Sequence, residues 1–210
     1  MPAKRAGAAA SGAGPAHSLI VRVTHWINAL AVVAMMLSGW RIYDAAPLYA
    51  FQFPRELTLG GWLAGALAWH FAAMWLLVLN GAVYLAYGLL SGHFAKDISP
   101  PRAASLWRDL RQAFRRRLPH APGRYNAVQR LLYLLALALL ALVAVSGLAI
   151  WKPVQMQELA AVMGGYEGAR RVHFWAMAGL FLFLVLHVNL AFAARGVLRA
   201  MITGRAEAPR

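Results

Sequence analysis

Residues 172–194 read VHFWAMAGLFLFLVLHVNLAFAA, and this stretch decides the fold because it is apolar over a membrane-spanning length and carries two histidines. His173 and His187 are 14 residues apart. On an α-helix, 14 residues turn through about 1400°, which is about 40° short of four full turns, so both imidazoles point to the same side. They lie about 21 Å apart along the axis, within the roughly 30 Å hydrocarbon core of a bilayer. The stretch therefore predicts a transmembrane helix with one imidazole toward each membrane face.

Three further apolar stretches have a comparable length and cover residues 19–43, 62–90 and 127–151. Each meets the requirement of about 20 residues for a spanning helix. All seven Asp and Glu residues lie outside the four stretches, and the chain is 61% hydrophobic and 13% charged. Helices of soluble bundles carry a polar face, which these stretches largely lack. The sequence predicts an all-α membrane protein with a four-transmembrane-helix up-down bundle.

The predicted domain organisation is simple. A disordered tail at residues 1–18 precedes one membrane domain at 19–195, and a tail follows at 196–210. No internal repeat is visible among the four stretches. A basic loop at residues 91–124 connects the second and third spans.

Basic residues alternate between the connections, although the net charge of +14 would by itself suit a nucleic-acid-binding protein. They concentrate before the first span, in the 91–124 loop and after the fourth span. The positive-inside rule then predicts that both termini and this loop are cytoplasmic. The Arg-rich run between Arg108 and Arg117 suits anionic headgroups of membrane lipids better than nucleic acid. The chain has no cysteine, which excludes c-type haem attachment and cysteine-ligated iron–sulfur clusters within it.

This topology sorts four histidines into two level pairs. His25 lies about two turns into the first span from the cytoplasmic side, and His187 lies about two turns from the cytoplasmic end of the fourth. His70 and His173 both lie near the outer surface. Two facing imidazoles are the donor set of a six-coordinate haem iron, so the pairs His25/His187 and His70/His173 predict two haem b groups, one above the other.

Other uses of these histidines are weaker. A single membrane histidine can bond a neighbouring helix instead of a cofactor. Zinc prefers three or four ligands, and no third His, Cys or carboxylate is available at either level. A proton pump usually needs buried acids, which the spans lack. Methionine in an apolar helix is more often packing than an axial ligand, and this applies to Met35, Met36, Met74 and Met177.

Haem propionates need cationic partners near each surface. Arg22 and Arg130 are candidates at the cytoplasmic level, and Arg41, Arg170 and Arg171 at the outer level. Each of these arginines fits interfacial snorkelling equally well.

Several of these motifs resemble the bacterial cytochrome b561 and nickel-hydrogenase b-type cytochrome family, to which formate dehydrogenase membrane subunits are related. The sequence RVTHWINA at residues 22–29, followed by Ser38-Gly39, is similar to the first helix of that family. The two histidines of residues 172–194 are similar to its fourth helix, and YNAVQR at residues 125–130 to the start of its third. The resemblance implies the same two haem-ligand pairs as the depth argument.

The resemblance also implies a quinone site near the cytoplasmic haem, with Asn126 as the first candidate and Gln129 as a weaker one. Both are equally plausible as ordinary polar residues at a helix start, where Asn126 would be an N-cap. The outer segments around residues 151–155, 164–167 and 170–174 resemble family members associated with periplasmic molybdopterin oxidoreductases. The Arg-rich loop departs from the family pattern.

The expected function is that of a di-haem b-type membrane cytochrome in the bacterial inner membrane. It would transfer electrons between the quinone pool and a periplasmic oxidoreductase subunit of the molybdopterin or hydrogenase type, and anchor that partner. It would then be an electron-transfer subunit rather than a stand-alone catalyst. One alternative is a stand-alone superoxide:quinone oxidoreductase, in which Arg41, Arg55, Arg170 and Arg171 attract the anion. Another is a haem-free anchor for a partner protein.

Overall fold

The computed structural model describes residues 18–92, 102–114, 127–193 and 196–204. These residues form α1 (Leu19–Ala45), a 3-10 turn (Arg55–Leu57), α2 (Leu63–Leu90), α3 (Ala103–Phe114), α4 (Ala127–Trp151), α5 (Gln157–Val162), α6 (Gly165–Ala193) and α7 (Val197–Thr203). Helices α1, α2, α4 and α6 are long and apolar enough to cross a membrane. The predicted all-α, four-span membrane protein is therefore confirmed.

Local sequence explains where the spans begin and end. The Ser18 side chain accepts a hydrogen bond from the Val21 N–H at 3.3 Å and so caps α1. Pro153 disfavours helical backbone at the residue before it, and α4 ends at Trp151. Helix α6 begins at Gly165, ahead of the apolar stretch at 172, because Gly164 and Gly165 reverse the chain with φ of 87° and 81°. Hydropathy thus marks only the apolar part of this helix.

The spans pack as two helical hairpins, α1 with α2 and α4 with α6. Trp40 of α1 contacts Phe181 of α6, with ring centroids 5.6 Å apart, and Phe71 of α2 contacts Trp151 of α4 at 5.2 Å. The order around the bundle is therefore α1, α2, α4, α6. Small buried residues allow the helices to approach closely, as at Ala31, Ala66 and Ala149. Large apolar side chains such as Leu90 (90% exposed) and Phe192 (72%) point outward, where lipid would cover them.

One end of the bundle, which we call the basic end, gathers the starts of α1 and α4 with α3 and α7. The Arg22 guanidinium donates hydrogen bonds to the Met201 carbonyl at 3.2 Å and to the Ile202 carbonyl, both in α7. Asp109 of α3 accepts a hydrogen bond from the Ala127 N–H at 2.9 Å. Because the first N–H groups of a helix have no partner within it, Asp109 caps α4.

The opposite end, the aromatic end, is covered by the connection that follows α1. Its aromatic cluster packs Phe53 against Trp40 at 4.7 Å and Phe174 against Tyr43 at 5.2 Å, with Tyr49 and Phe51 beside them. The Trp175 indole N–H donates to the Tyr49 hydroxyl at 2.8 Å. This end of the bundle is therefore closed by aromatic side chains.

The predicted tail at 1–18 lies outside the described residues, apart from Ser18. The loop at 91–124 contains α3 in its described part, which covers the start of the Arg-rich run. The predicted tail at 196–210 contains the short helix α7.

Candidate functional site

The four membrane histidines form two pairs in the bundle, and the two rings of each pair lie next to each other. The rings of His70 and His173 have centroids 6.4 Å apart and planes inclined by 64°. The rings of His25 and His187 have centroids 5.9 Å apart and planes inclined by 59°. His70 on α2 faces His173 on α6 across the bundle diagonal, whereas His25 on α1 faces its neighbour α6. The structure thus brings together the two pairs named from sequence depth.

The spacing within each pair fits one iron ion between two imidazoles. A metal–imidazole bond is about 2 Å long and the ring centroid lies about 1.1 Å behind the bonding nitrogen, so two such rings have centroids about 6 Å apart. Both observed separations agree with that value. In the described part of the chain, no three His, Cys, Asp or Glu side chains form a metal-binding group. Two imidazoles at each level match the donor set of a haem with two histidine ligands.

Hydrogen bonds at Nδ1 identify the ring nitrogen that is available to iron. The Nδ1 of His70 lies 3.1 Å from the Met35 carbonyl and 3.2 Å from the Ser38 hydroxyl. The Nδ1 of His173 lies 3.1 Å from the Ser146 hydroxyl. Metal-bound histidines usually direct their other nitrogen to such acceptors, so Nε2 is the coordinating atom that fits here.

The His70–His173 pair borders an apolar, partly open cavity. All four spans line it, through residues that include Val32, Leu77, Leu140, Val143, Met177 and Leu180. Two glycines let helix backbone approach the imidazoles: a Cβ at Gly39 would lie 3.5 Å from His70 Cε1, and one at Gly147 would lie 3.2 Å from His173 Cε1. Apolar walls and space beside the ligands suit a macrocycle.

The His25–His187 pair has different neighbours. His187 stacks on Phe183 at 5.6 Å, and His25 meets Trp26 edge to face at 5.4 Å. Asn28 lies one turn after His25 on α1, and its side-chain oxygen accepts a hydrogen bond from the Asn80 side-chain amide of α2 at 2.7 Å.

The hydroxyls of Tyr84 on α2 and Tyr133 on α4 hydrogen-bond each other. Sequence reasoning missed this phenol pair. The signal was available, because Tyr84 follows His70 by 14 residues. That interval puts Tyr84 on the same face as His70 and at the depth of the other histidine pair.

The remaining predicted residues fall at both ends. Arg130 and Gln129 lie in the first turn of α4, one turn before Tyr133. Asn126 lies outside the described residues. Arg41 and Arg171 lie toward the aromatic end, and Arg22 binds the carbonyls of α7. Arg170 is bonded to the Glu167 carboxylate at 3.0 Å and to the Ala46 carbonyl.

Comparison with known proteins shows which protein family this chain matches. Residues 16–204 match the model of a protein family described as prokaryotic cytochrome b561. A protein of Azospira oryzae is 47% identical over 189 residues, which cover 90% of this chain and 96% of the relative. That relative carries the name "Putative protein-methionine-sulfoxide reductase subunit YedZ1". No solved structure matches the chain.

Proposed function

Because the chain belongs to the prokaryotic cytochrome b561 family, whose members are b-type membrane electron carriers, we propose that it holds two haems b and connects the quinone pool to a periplasmic oxidoreductase. It is a multi-pass protein of the bacterial inner membrane and a membrane-bound b-type cytochrome. The haem number, the electron donor and the partner are the parts that we propose.

The observation that carries the proposal is the presence of two histidine pairs at two depths, each with the ring separation that one iron needs. His25 and His187 would hold one haem, and His70 and His173 the other. Each haem would supply a one-electron carrier, and two histidine ligands would favour electron transfer over oxygen binding. The protein side chains fix the ligands and surround the haems with apolar walls.

The charge distribution supports an orientation for this path. The basic end collects the N-terminus of α1, the described part of the Arg-rich loop, and α7. By the positive-inside rule we place this end, and with it both termini, in the cytoplasm. The His25–His187 pair then lies toward the cytoplasm and the His70–His173 pair toward the periplasm. The partner would dock at the aromatic end.

The named relative supports the choice of partner. The relative is named as a subunit of a protein-methionine-sulfoxide reductase, and this suggests that the present chain also passes electrons to a reductase of oxidised methionine. We expect this reductase to be the periplasmic molybdopterin enzyme predicted from the sequence. Reduction of a sulfoxide takes two electrons and two protons and yields a thioether and water. Oxidation of one quinol to quinone releases two electrons and two protons, so the balance closes. The relative gives no support to a hydrogenase-type partner.

We assign the candidate partners of the quinone and of the haem propionates by the depth of each residue in the membrane. We place the quinone beside the His25–His187 pair, near Gln129 in the first turn of α4, and keep Asn126, which lies outside the described residues, as the other candidate. Arg130 at that end, and Arg41 and Arg171 at the other, are the candidate propionate partners. The superoxide alternative relies on arginines at the aromatic end. Of these, Arg170 already bonds Glu167 and the Ala46 carbonyl, which makes it less available to an anion, so we keep the reductase partner as the proposal.

Haem content of the purified full-length chain and of four single variants tests the proposal. We expect about two reducible b-type haems per chain in the unaltered protein. His25→Ala and His187→Ala should each abolish the same one, as judged by redox-difference spectra, and His70→Ala and His173→Ala the other. Asn189→Ala is the control, because Asn189 is an exposed polar residue two positions after His187, and this variant should keep both haems. One haem in the unaltered chain, or losses that cross the pairs, would overturn the proposal.

A further inference from the structure

Two serines occupy equivalent positions in the two hairpins. Ser38 on α1 and Ser146 on α4 are both fully buried, at 0% exposure. Ser38 donates its hydroxyl proton to the Ala34 carbonyl at 2.6 Å, and Ser146 donates to the Leu142 carbonyl at 2.6 Å. Both acceptors lie four residues back in the same helix. Since a hydroxyl has a single proton, each serine oxygen can only accept from its other neighbours.

The other neighbour of each serine is a haem-ligand candidate of the next span. Ser38 Oγ lies 3.2 Å from His70 Nδ1, and Ser146 Oγ lies 3.1 Å from His173 Nδ1. With the serine protons committed elsewhere, the imidazoles must donate from Nδ1–H. At His70 the Met35 carbonyl, at 3.1 Å, imposes the same requirement because a carbonyl cannot donate. Both rings are thus held as the tautomer with Nε2 unprotonated.

We propose that Ser38 and Ser146 are the positioning residues of a single haem, the one held by His70 and His173. They fix the tautomer of each ligand and its rotation about the Cβ–Cγ bond, and hence the 64° angle between the two ring planes. This inference rests on the proposed function, because it assumes a haem at this pair.

The arrangement exceeds what ordinary helix packing requires. A serine in an apolar helix commonly bonds the carbonyl one turn back, and this bond alone would indicate nothing. Here two serines on different helices each meet the Nδ1 of an imidazole, and the two imidazoles face each other. Each serine is followed by a glycine, Gly39 or Gly147, whose missing side chain lets that histidine come close.

The proposed role has two physical consequences at the metal. An acceptor on Nδ1–H makes an imidazole a stronger electron donor, which favours the oxidised iron and lowers the reduction potential. The angle between two axial imidazole planes sets the electronic anisotropy of a low-spin ferric haem, which electron paramagnetic resonance (EPR) reports. Loss of a serine should therefore raise the midpoint potential of one haem and displace its low-field EPR feature.

The test uses Ser38→Ala, Ser146→Ala and the double variant in the full-length, haem-loaded chain. Alanine suits a helix well and leaves only a small gap, so we expect the variants to fold. Haem content, EPR spectra and redox titrations are measured on each. Both single variants should displace the low-field feature and raise the midpoint potential of the same haem, and Ser38→Ala should have the smaller effect because the Met35 carbonyl still accepts from His70 Nδ1. The double variant should do so more strongly or lose that haem, while the second haem keeps its signals.

Thr24→Val is the matched control. Thr24 lies on α1, 14 residues before Ser38, is buried, and donates its hydroxyl proton to the Ile20 carbonyl at 2.8 Å. The variant should leave the signals of the His70–His173 haem unchanged. If all serine variants keep the unaltered EPR spectrum and an unchanged or lowered midpoint, the serines only pack and the inference is wrong. The inference would also be wrong if Ser38→Ala and Ser146→Ala changed the EPR signals of two different haems. An unaltered chain without haem would instead refute the proposed function.

Discussion

The two histidine pairs use the same ligand but differ in what surrounds it. Around His70 and His173, two serines hold Nδ1, two glycines admit helix backbone, and the aromatic cluster covers the end of the bundle. Around His25 and His187, the neighbours are the rings of Phe183 and Trp26, with amide and phenol groups on adjoining turns. One pair is held by hydrogen bonds at Nδ1, and the other lies near polar amide and phenol groups. The difference suits an electron relay at the aromatic end and a quinone at the basic end.

Two single variants, each lacking one ligand of a different pair, should differ completely in their reduction by quinol. His187→Ala should abolish the haem at the basic end and with it reduction of the chain by added quinol. His173→Ala should abolish the other haem but leave quinol reduction of the remaining one. Stopped-flow absorbance with a soluble quinol measures both. Equal quinol reduction in the two variants would show that the pairs do not differ in access to quinone.

A methyl group at Gly147 should disturb the His70–His173 pair more than one at Gly39. The added Cβ would lie 3.2 Å from His173 Cε1 but 3.5 Å from His70 Cε1, and only the first is tighter than normal contact. Overpacking of this kind costs about 1–3 kcal/mol, so Gly147→Ala should lower haem occupancy and thermal stability. Gly81→Ala, where a Cβ meets open space, is the control and should be neutral. Equal effects of the variants at Gly39 and Gly147 would contradict the close approach.

The phenol pair near the basic end should behave as a coupled unit. Tyr84→Phe or Tyr133→Phe removes the hydrogen bond between two half-buried hydroxyls and should cost about 1 kcal/mol in the free energy of unfolding. The double variant should cost less than the sum of the two, because it leaves neither hydroxyl behind. Thermal unfolding of all four proteins gives the coupling energy. Strict additivity would mean that the hydroxyls do not interact.

The smallest effect is expected outside the membrane helices, at Asp109. Asp109→Ala removes the cap of α4 and should cost about 1 kcal/mol in thermal stability, with both haem spectra unchanged. Asp109→Asn keeps a side-chain oxygen for the Ala127 N–H and should cost only a fraction of that. A change in either haem spectrum would show that α3 influences the site directly.

Much of this architecture could be predicted from sequence, because a bilayer imposes length and polarity on every span. The 14-residue interval and the charge asymmetry were enough to group His25 with His187 and His70 with His173. They were not enough for Ser38 and Ser146, since a membrane serine usually bonds its own helix and shows no signature of a second partner. The start of α6 at Gly165 also escaped prediction, because the first turns of that helix are polar.

The structure contains a repeated set of contacts that the sequence does not show as a repeat. Met35, Ser38 and Gly39 on α1 meet His70 as Val143, Ser146 and Gly147 on α4 meet His173. Only the serine and glycine are identical, and the apolar residues between them are interchangeable in a membrane helix. Three-dimensional contacts were needed to recognise the correspondence.

The measurement that tests the account most directly is the haem-to-chain ratio of two double variants. His25→Ala/His187→Ala removes both ligands of one pair, whereas His25→Ala/His70→Ala removes one ligand from each. We expect one haem per chain in the first variant and none in the second. Equal ratios in the two variants would contradict the pairing.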